Sequence, residues 1–338
     1  MSLPWYQEPS TDETQILSSR IRFARNIKKY PFHQKLSIED SIAMLQEARD
    51  SVALAGDLFH SLDISSLGHT EQSVFLEKHI VSPQLLKNGL PKGLLISDDQ
   101  NISIMLNEED HLRIQSIQPG EGLAKAFETA NKIDDLIEER VEFAFHPKYG
   151  YLTACPTNVG TGMRASYMIH LPCLDNTETF RNTLPEIAKF GIILRGIYGE
   201  GTGSMGSIYQ ISNQNTLGKS ESEIIEVLQN VTTTVITKEM QARESLILTR
   251  RAFLEDKIYR AYAILSHSRK ISAKEAIDLL SSIRLGYLIG ILEKPRPIKQ
   301  IYQIMMEIQP GHLQRVAGAE MSEEERDVAR AKYLRSMF

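Results

Sequence analysis

Cysteine is scarce in this chain of 338 residues: Cys155 and Cys173 are the only two, and they are not spaced as CxxC. That excludes a disulfide framework and a cysteine-based zinc site, and it fits a reducing compartment. Positive charge is not in surplus either. Against 43 Asp and Glu stand 38 Lys and Arg, a net charge of −5, so the basic footprint of a nucleic-acid binder is missing. Long apolar runs are missing too; stretches such as 190–194 and 285–292 are far too short to cross a bilayer. Residues 1–15 carry Pro, Glu, Asp and Thr in place of an apolar signal core. These absences lead us to expect a cytoplasmic, soluble protein that binds neither nucleic acid nor membrane.

What is present is ordinary globular composition, 42% apolar and 24% charged, at a length that suggests two domains. No internal repeat or low-complexity segment is evident. Up to about residue 215 helices and strands alternate. Ser37 caps a predicted helix through Ile42, Leu45 and Val52, and Gly120 precedes another with Leu123, Phe127, Ala130, Ile133 and Ile137 at helical spacing. Short β-type runs joined by turns lie between: 93–97 with 102–106, 141–145 with 151–154, and 192–197 with 207–211. Strand-turn-strand order predicts an α+β fold, an antiparallel sheet flanked by helices. Beyond Gly218 the pattern becomes helical, with capping signatures Ser220–Glu223, Ser272–Glu275 and Ser322–Glu325. The expected division is a catalytic domain at 1–245 and a small all-α C-terminal domain at 246–338.

Two phosphate-loop look-alikes fail on context. Residues 201–206 match GxGxxG, but a dinucleotide site needs a helix directly afterwards, and Ser207-Ile208-Tyr209-Gln210-Ile211 reads as a strand. Gly218-Lys219-Ser220 resembles the end of a P-loop, but Asn213 stands where the first glycine must be.

Four polar segments stand in or beside strands. They are Ser18-Ser19-Arg20-Ile21-Arg22-Phe23-Ala24-Arg25-Asn26, then Asn107-Glu108-Glu109-Asp110-His111-Leu112-Arg113. The third is Cys155-Pro156-Thr157-Asn158-Val159-Gly160-Thr161-Gly162-Met163-Arg164-Ala165-Ser166, the fourth Arg195-Gly196-Ile197-Tyr198-Gly199-Glu200-Gly201. Arg20 and Arg22 are two apart, so on a strand they share a face and repel unless an anion sits there. Together, in order across roughly residues 14–245, these strings resemble the catalytic domain of the ATP:guanidino phosphotransferases, the arginine and creatine kinase family. The segment at Ser18 follows no long helical domain of the kind metabolite kinases carry, and a helical region follows at the other end. Both features resemble the bacterial protein-arginine kinases of the McsB type.

The resemblance implies transfer of the γ-phosphoryl group of ATP, with Mg²⁺, to arginine side chains of proteins. By family position Glu109 is the general base and Glu200 the second carboxylate clamp, with Cys155 beside the substrate nitrogen. The chemistry is coherent. Guanidinium has a pKa of about 13.8, so removing its proton at pH 7 costs about 9 kcal/mol, and the site must hold the cation and accept a proton as the P–N bond forms. Carboxylates match the guanidinium fork. The nucleotide falls to Ser18, Ser19, Arg20, Ile21 and Arg22, to His79 and Arg113, to Arg164, Ala165, Ser166, Tyr167 and Met168, and to Arg195, Gly196, Ile197, Tyr198, Gly199 and Glu200. Five of these are arginines, a cradle for phosphate that needs no P-loop and no protein metal ligand. Arg25 is equally readable as an ordinary surface ion pair, and Cys173 as a small apolar residue.

In the C-terminal region Arg326-Asp327-Val328-Ala329-Arg330-Ala331 matches the RDxxRA pattern of a phosphoarginine pocket, which implies an allosteric site at Arg326, Asp327, Arg330 and Ala331. Family likeness also implies a homodimer, an activator protein and a ClpC-type unfoldase as partners, with degradation by ClpC–ClpP as the fate of marked proteins. The alternatives are a kinase for free arginine or a related metabolite, and a phosphoarginine-binding regulator without catalysis.

Overall fold

A computed structural model of the chain describes residues 4–7, 15–53, 59–87, 89–175, 177–197, 204–293 and 299–338. Among them the elements run β1 (Ile16–Arg25), α1 (Ile38–Ala53), β2 (Phe59–Asp63), α2 (His69–Glu77), β3 (Gly93–Ser97), β4 (Ile102–Leu106), β5 (Leu112–Pro119) and α3 (Leu123–Glu138). There follow β6 (Phe145–His146), β7 (Gly150–Tyr151), β8 (Met163–His170), α4 (Glu178–Ala188), β9 (Ile192–Gly196) and β10 (Ile208–Asn213). The rest is helical: α5 (Glu221–His267), α6 (Ala273–Leu288), α7 (Lys299–Glu307), α8 (Pro310–Ala317) and α9 (Glu323–Arg335). Contacts divide the chain into two compact units. One comprises Met1–Glu8, Ser18–Tyr167 and Ser212–Gln229; the other Pro9–Leu17, Met168–Ile211 and Asn230–Phe338.

In the first unit strands lie in the order β2-β3-β4-β5-β1-β8, with antiparallel pairing from β2 through β1. The alternation of β1 decides its two faces. Ser19, Ile21 and Phe23 are buried, and Phe23 meets Phe127 of α3 edge-on at 6.2 Å. Full burial of each such apolar side chain stabilises the unit by about 1.5–3 kcal/mol. Ser19 fastens the start of α3: its hydroxyl donates to Gly120 O (2.7 Å) and accepts the Gly122 N–H (2.9 Å). Arg20, Arg22 and Ala24 point to the opposite face. Ser37 accepts the Asp40 N–H (3.0 Å), the cap expected of α1.

The hairpins at 93–106 and 192–213 form as the sequence predicts; the one at 141–154 is cut to two residues per strand. The reason lies in its backbone partners. The Ala144 N–H donates to Asn26 O (2.7 Å) and the Lys28 N–H to Glu142 O (2.8 Å), so the segment extends past the end of β1 before it can pair with itself.

In the second unit α5 is interrupted at Arg250 (φ −140°, ψ 35°). The expected caps of α6 and α9 form, Ser272 accepting the Glu275 N–H and Ser322 and Glu325 closing a reciprocal box. Pro310 opens α8 at its first turn, where its missing N–H costs nothing. Cys173 packs against Leu254 and Leu285, and burial pushes its thiol up to about 12, an inert apolar filler as expected. No helix among the described residues is long and apolar enough to cross a membrane.

Candidate active site

Antiparallel register brings three predicted arginines onto one face of the first unit. Ala24 pairs with Arg113 and Arg22 with Gln115, so the face of β1 that carries Arg20 and Arg22 continues into the face of β5 that carries Arg113. Arg22, Arg113 and Arg164 line one cleft with Glu108, Glu109, Asp110 and Asn158. Burial, then the charges of Arg20, Arg113 and Arg164, hold the Arg22 guanidinium well below its ordinary range, and Glu108 offsets this only in part. Such a concentration of fixed cations is a standing site for a polyanion.

Arg164 owes its place to glycine. Gly160 (φ +116°) and Gly162 (φ +63°) adopt left-handed backbone, and a Cβ would lie 2.3 Å from Thr216 O at the first and 2.7 Å from Ala24 O at the second. The segment therefore lies flat against β1 and delivers Arg164 at the start of β8. Asn158 Oδ1 lies 3.5 Å from Arg164 Nη2.

The turn between β4 and β5 divides its polar residues between two tasks. Asn107 (φ +59°) is buried, donating to Ser41 Oγ (2.8 Å) and Pro91 O (2.7 Å). Asp110 accepts from Asn26 Nδ2 (2.7 Å) and from the Ala154 N–H (2.6 Å), which ties the turn to the residue before Cys155. His111 Nδ1 accepts the Ile27 N–H (3.0 Å), so its proton is on Nε2, which donates to Pro31 O (3.0 Å). Burial pushes that imidazole down to about 4.

Glu108 and Glu109 are left for the cleft. Glu108 is buried and pairs with Arg113 Nη1 at 2.7 Å while accepting the Ser82 hydroxyl. Burial opposes its charge, but Arg113 and the hydrogen bonds win and hold its carboxyl below the usual range. Glu109 is exposed at the mouth. Desolvation, then Asp110 and Glu108, raise its carboxyl above the usual range, against the pull of Arg113 and Arg164. A raised carboxylate facing a cationic cleft is the arrangement a general base requires.

Cys155 is half-buried, its Sγ 3.0 Å from Thr157 Oγ1. His79 (φ +58°) follows α2, where Gln115 Nε2 donates to its carbonyl (2.8 Å). Burial and the charges of Arg20 and Arg22 push its imidazole down to about 3, so it is neutral at pH 7 and adds no charge to the cradle. Ser18, Ser19, Ile21, Ala165, Ser166 and Tyr167 are buried strand residues, and Tyr167 OH donates to Glu121 (2.8 Å). Arg25 forms an ion pair, but a buried one and not the surface pair the sequence suggested: it meets Asp134 at 2.6 Å, donates to Thr161 O (2.9 Å) and stacks 3.5 Å over the Tyr151 ring.

Met168, Arg195, Gly196 and Ile197 belong to the second unit, Arg195 exposed on β9. Tyr198, Gly199 and Glu200 lie outside the described residues. The strand β10 after Gly206 disposes of the dinucleotide motif. Sequence reasoning passed over Glu108, Ser82, Asn158 and Gln115. Glu108 and Asn158 carried a signal, the first beside Glu109 and the second inside the 155–166 string; Ser82 and Gln115 carried none.

Residues 42–242 match the ATP:guanido phosphotransferase, C-terminal catalytic domain. The chain belongs to the ATP:guanido phosphotransferases. Residues 251–338 of this phosphotransferase match the Protein-arginine kinase McsB C-terminal domain. It is 45% identical to a protein-arginine kinase of Caldanaerobacter subterraneus, over 96% of both chains. It is 42% identical to that of Bacillus subtilis, over 98% of this chain and 92% of the relative. Among solved structures it resembles a lombricine kinase, with TM-score 0.62 and 26% identity over 72% of this chain and 70% of that one. It also shares the fold of a duplicated taurocyamine kinase from Schistosoma mansoni, with TM-score 0.64 and 22% identity over 80% of this chain and 40% of that one. ATP is thus the phosphoryl donor the family implies. Among the described residues no cluster of three or more His, Cys, Asp or Glu is placed to hold a metal ion.

On α9 the RDxxRA residues divide. Arg330 is 1% exposed and turned inward, donating to Ile308 O (2.9 Å), Ile271 O (2.9 Å) and Asp327 Oδ1 (2.5 Å), and Ala331 is buried. Arg326, part-buried, donates to Met321 O (2.6 Å). The sequence reading let Arg330 reach a ligand; here it braces Asp327 instead.

Proposed function

We propose that this chain transfers the γ-phosphoryl group of ATP to arginine side chains of proteins. The supporting observation is the arginine-lined cleft with Glu109 at its mouth, in a chain whose remaining length matches the C-terminal domain of protein-arginine kinases. Arg20, Arg22, Arg113, Arg164 and Arg195 hold the phosphates, with Mg²⁺ arriving on the nucleotide and neutralising phosphate charge. Glu109 and Glu200 aim the substrate guanidinium. As the P–N bond forms and the bond to the ADP oxygen breaks, Glu109 takes the nitrogen's proton. Mass spectrometry of a protein substrate after incubation with Mg-ATP, handled at neutral or basic pH because the P–N bond is acid-labile, tests this. Phosphate on arginine is expected; phosphorylation of free arginine alone would favour the metabolite-kinase alternative.

Cys155→Ala is expected nearly to abolish turnover while the KM for ATP and the melting temperature stay near wild type, because the thiol belongs beside the nucleophile. Near-normal turnover would return Cys155 to the inert class.

The catalytic domain at 1–245 and helical domain at 246–338 complete the proposal, the latter with a phosphoarginine site at Arg326 and Asp327, braced by Arg330 and Ala331. Calorimetric titration of phosphoarginine, with the active site blocked, should show binding that a double Arg326→Ala, Asp327→Ala variant loses. Equal affinity in the two proteins removes the site. Cytoplasmic location, a homodimer, an activator protein and a ClpC-type unfoldase as partners belong to the same reading.

A further inference from the structure

Ser82 belongs to none of the four polar strings. It lies in the first unit, between α2 and β3, on a loop built as part of the core. Ile80, Val81 and Leu85 are buried in one cluster with Leu94, Ile96 and Met105 of β3 and β4. The Ile80 carbonyl accepts from the Ser103 hydroxyl (3.0 Å), and the buried Lys92 ammonium donates to Gln84 O (2.9 Å) and Lys87 O (3.0 Å). Fastened before and after Ser82, the loop holds that residue in one place.

The hydrogen bonds of Ser82 run in one direction. Its Oγ accepts the Leu85 N–H (3.2 Å), and its own proton goes to Glu108 Oε1. Both oxygens of Glu108 are then committed. Oε1 also accepts from Arg113 Nη1 (2.7 Å), and Oε2 accepts the Glu109 N–H (3.1 Å). One buried carboxylate thus fixes a guanidinium of the cleft and the backbone of Glu109. Without the Ser82 hydroxyl, Oε1 answers to Arg113 alone, and pair and carboxylate are free to shift together toward the cleft that both line. There the carboxylate would compete with phosphate for the guanidinium.

We propose that Ser82 is a positioning residue for phosphoryl transfer: its hydroxyl sets the Glu108 carboxylate, and through it Arg113 and the Glu109 backbone. The consequence in turnover rests on the arginine-kinase reading; the claim that Ser82 holds the Glu108–Arg113 pair does not. A hydrogen bond to a charged group is worth a factor of about 10–100. Ser82→Ala should therefore lower kcat/KM for ATP by about 10–100-fold at saturating protein substrate, while scarcely moving the melting temperature. Ser82→Thr, which keeps the hydroxyl, should recover most of the loss. In a Glu108→Ala background the same Ser82→Ala change should cost less than about threefold more, because its effect passes through that carboxylate. A second measurement needs no turnover. In ¹⁵N spectra of the full chain, the Arg113 guanidinium should rotate faster about Nε–Cζ in Ser82→Ala and at the wild-type rate in Ser82→Thr. Unchanged Arg113 rotation in Ser82→Ala, equal damage from Ala and Thr, or full additivity with Glu108→Ala overturns the proposal. So does wild-type kcat/KM in Ser82→Ala alongside an active wild type. A wild type inactive on protein arginine would sink the kinase reading instead, and the Arg113 spectra would still decide whether Ser82 holds the pair.

Discussion

Glu109→Gln is expected to lower kcat at least about 100-fold, the range usual for loss of a general base, with the KM for ATP unaffected. The amide keeps the size and one acceptor oxygen of the carboxylate but cannot take a proton from the attacking nitrogen. Since Glu109 must be ionised to act and its carboxyl is raised above the usual range, kcat of the wild type should fall as pH falls through that raised value. The sign of a second change follows. Glu108 is one of the charges raising Glu109, and it also engages Arg113, which lowers it. Glu108→Gln should therefore move the acid limb of the normalised pH profile to lower pH. A Glu109→Gln variant that altered only ATP affinity, or an acid limb that stayed put in Glu108→Gln, would remove Glu109 as the base.

Arg25→Ala is expected to destabilise the first unit by about 3–5 kcal/mol, the usual result of stranding one member of a buried ion pair. The Arg25 and Asp134 side chains are 2% and 5% exposed. Truncation leaves the Asp134 carboxylate without its cation, the Thr161 carbonyl without its donor and the Tyr151 ring without its stacking partner. Denaturant unfolding measures the loss. The paired replacement Arg25→Met with Asp134→Leu should recover part of it, since no charge is then left buried. A loss under about 1 kcal/mol in Arg25→Ala would place the pair in the weak class of exposed ion pairs.

The fold was legible where one periodicity governs a segment. β1 shows period two, α1 and α3 show helical spacing, and the caps at Ser272 and Ser322 form where their residues stand. The 141–154 hairpin was misjudged because its backbone pairs with Asn26 and Lys28, over a hundred residues away, which local pattern cannot reveal. Within the site, Arg20, Arg22, Glu109 and Arg113 were readable from motif and strand parity. The division of labour in the NEEDH turn was not. Five polar residues in a row look equivalent in sequence, yet Asn107, Asp110 and His111 are turned inward to hold the loop. Arg25 and Arg330 share that lesson: a guanidinium inside a functional string can be a brace. Only tertiary contacts tell braces from ligands.

His111 offers a use that needs no substrate. Its Nε2 proton is buried and held by Pro31 O, with the ring fixed through Nδ1 by the backbone of Ile27. An imidazole N–H sealed from water in this way exchanges slowly enough to give a resolved downfield proton resonance. Because the ring sits two residues from Glu109, that single signal is a reporter on the turn between β4 and β5, read at equilibrium and without turnover. It should persist unshifted in Glu109→Gln, broaden in Asn26→Ala, and so separate variants that lose the chemistry from variants that lose the loop.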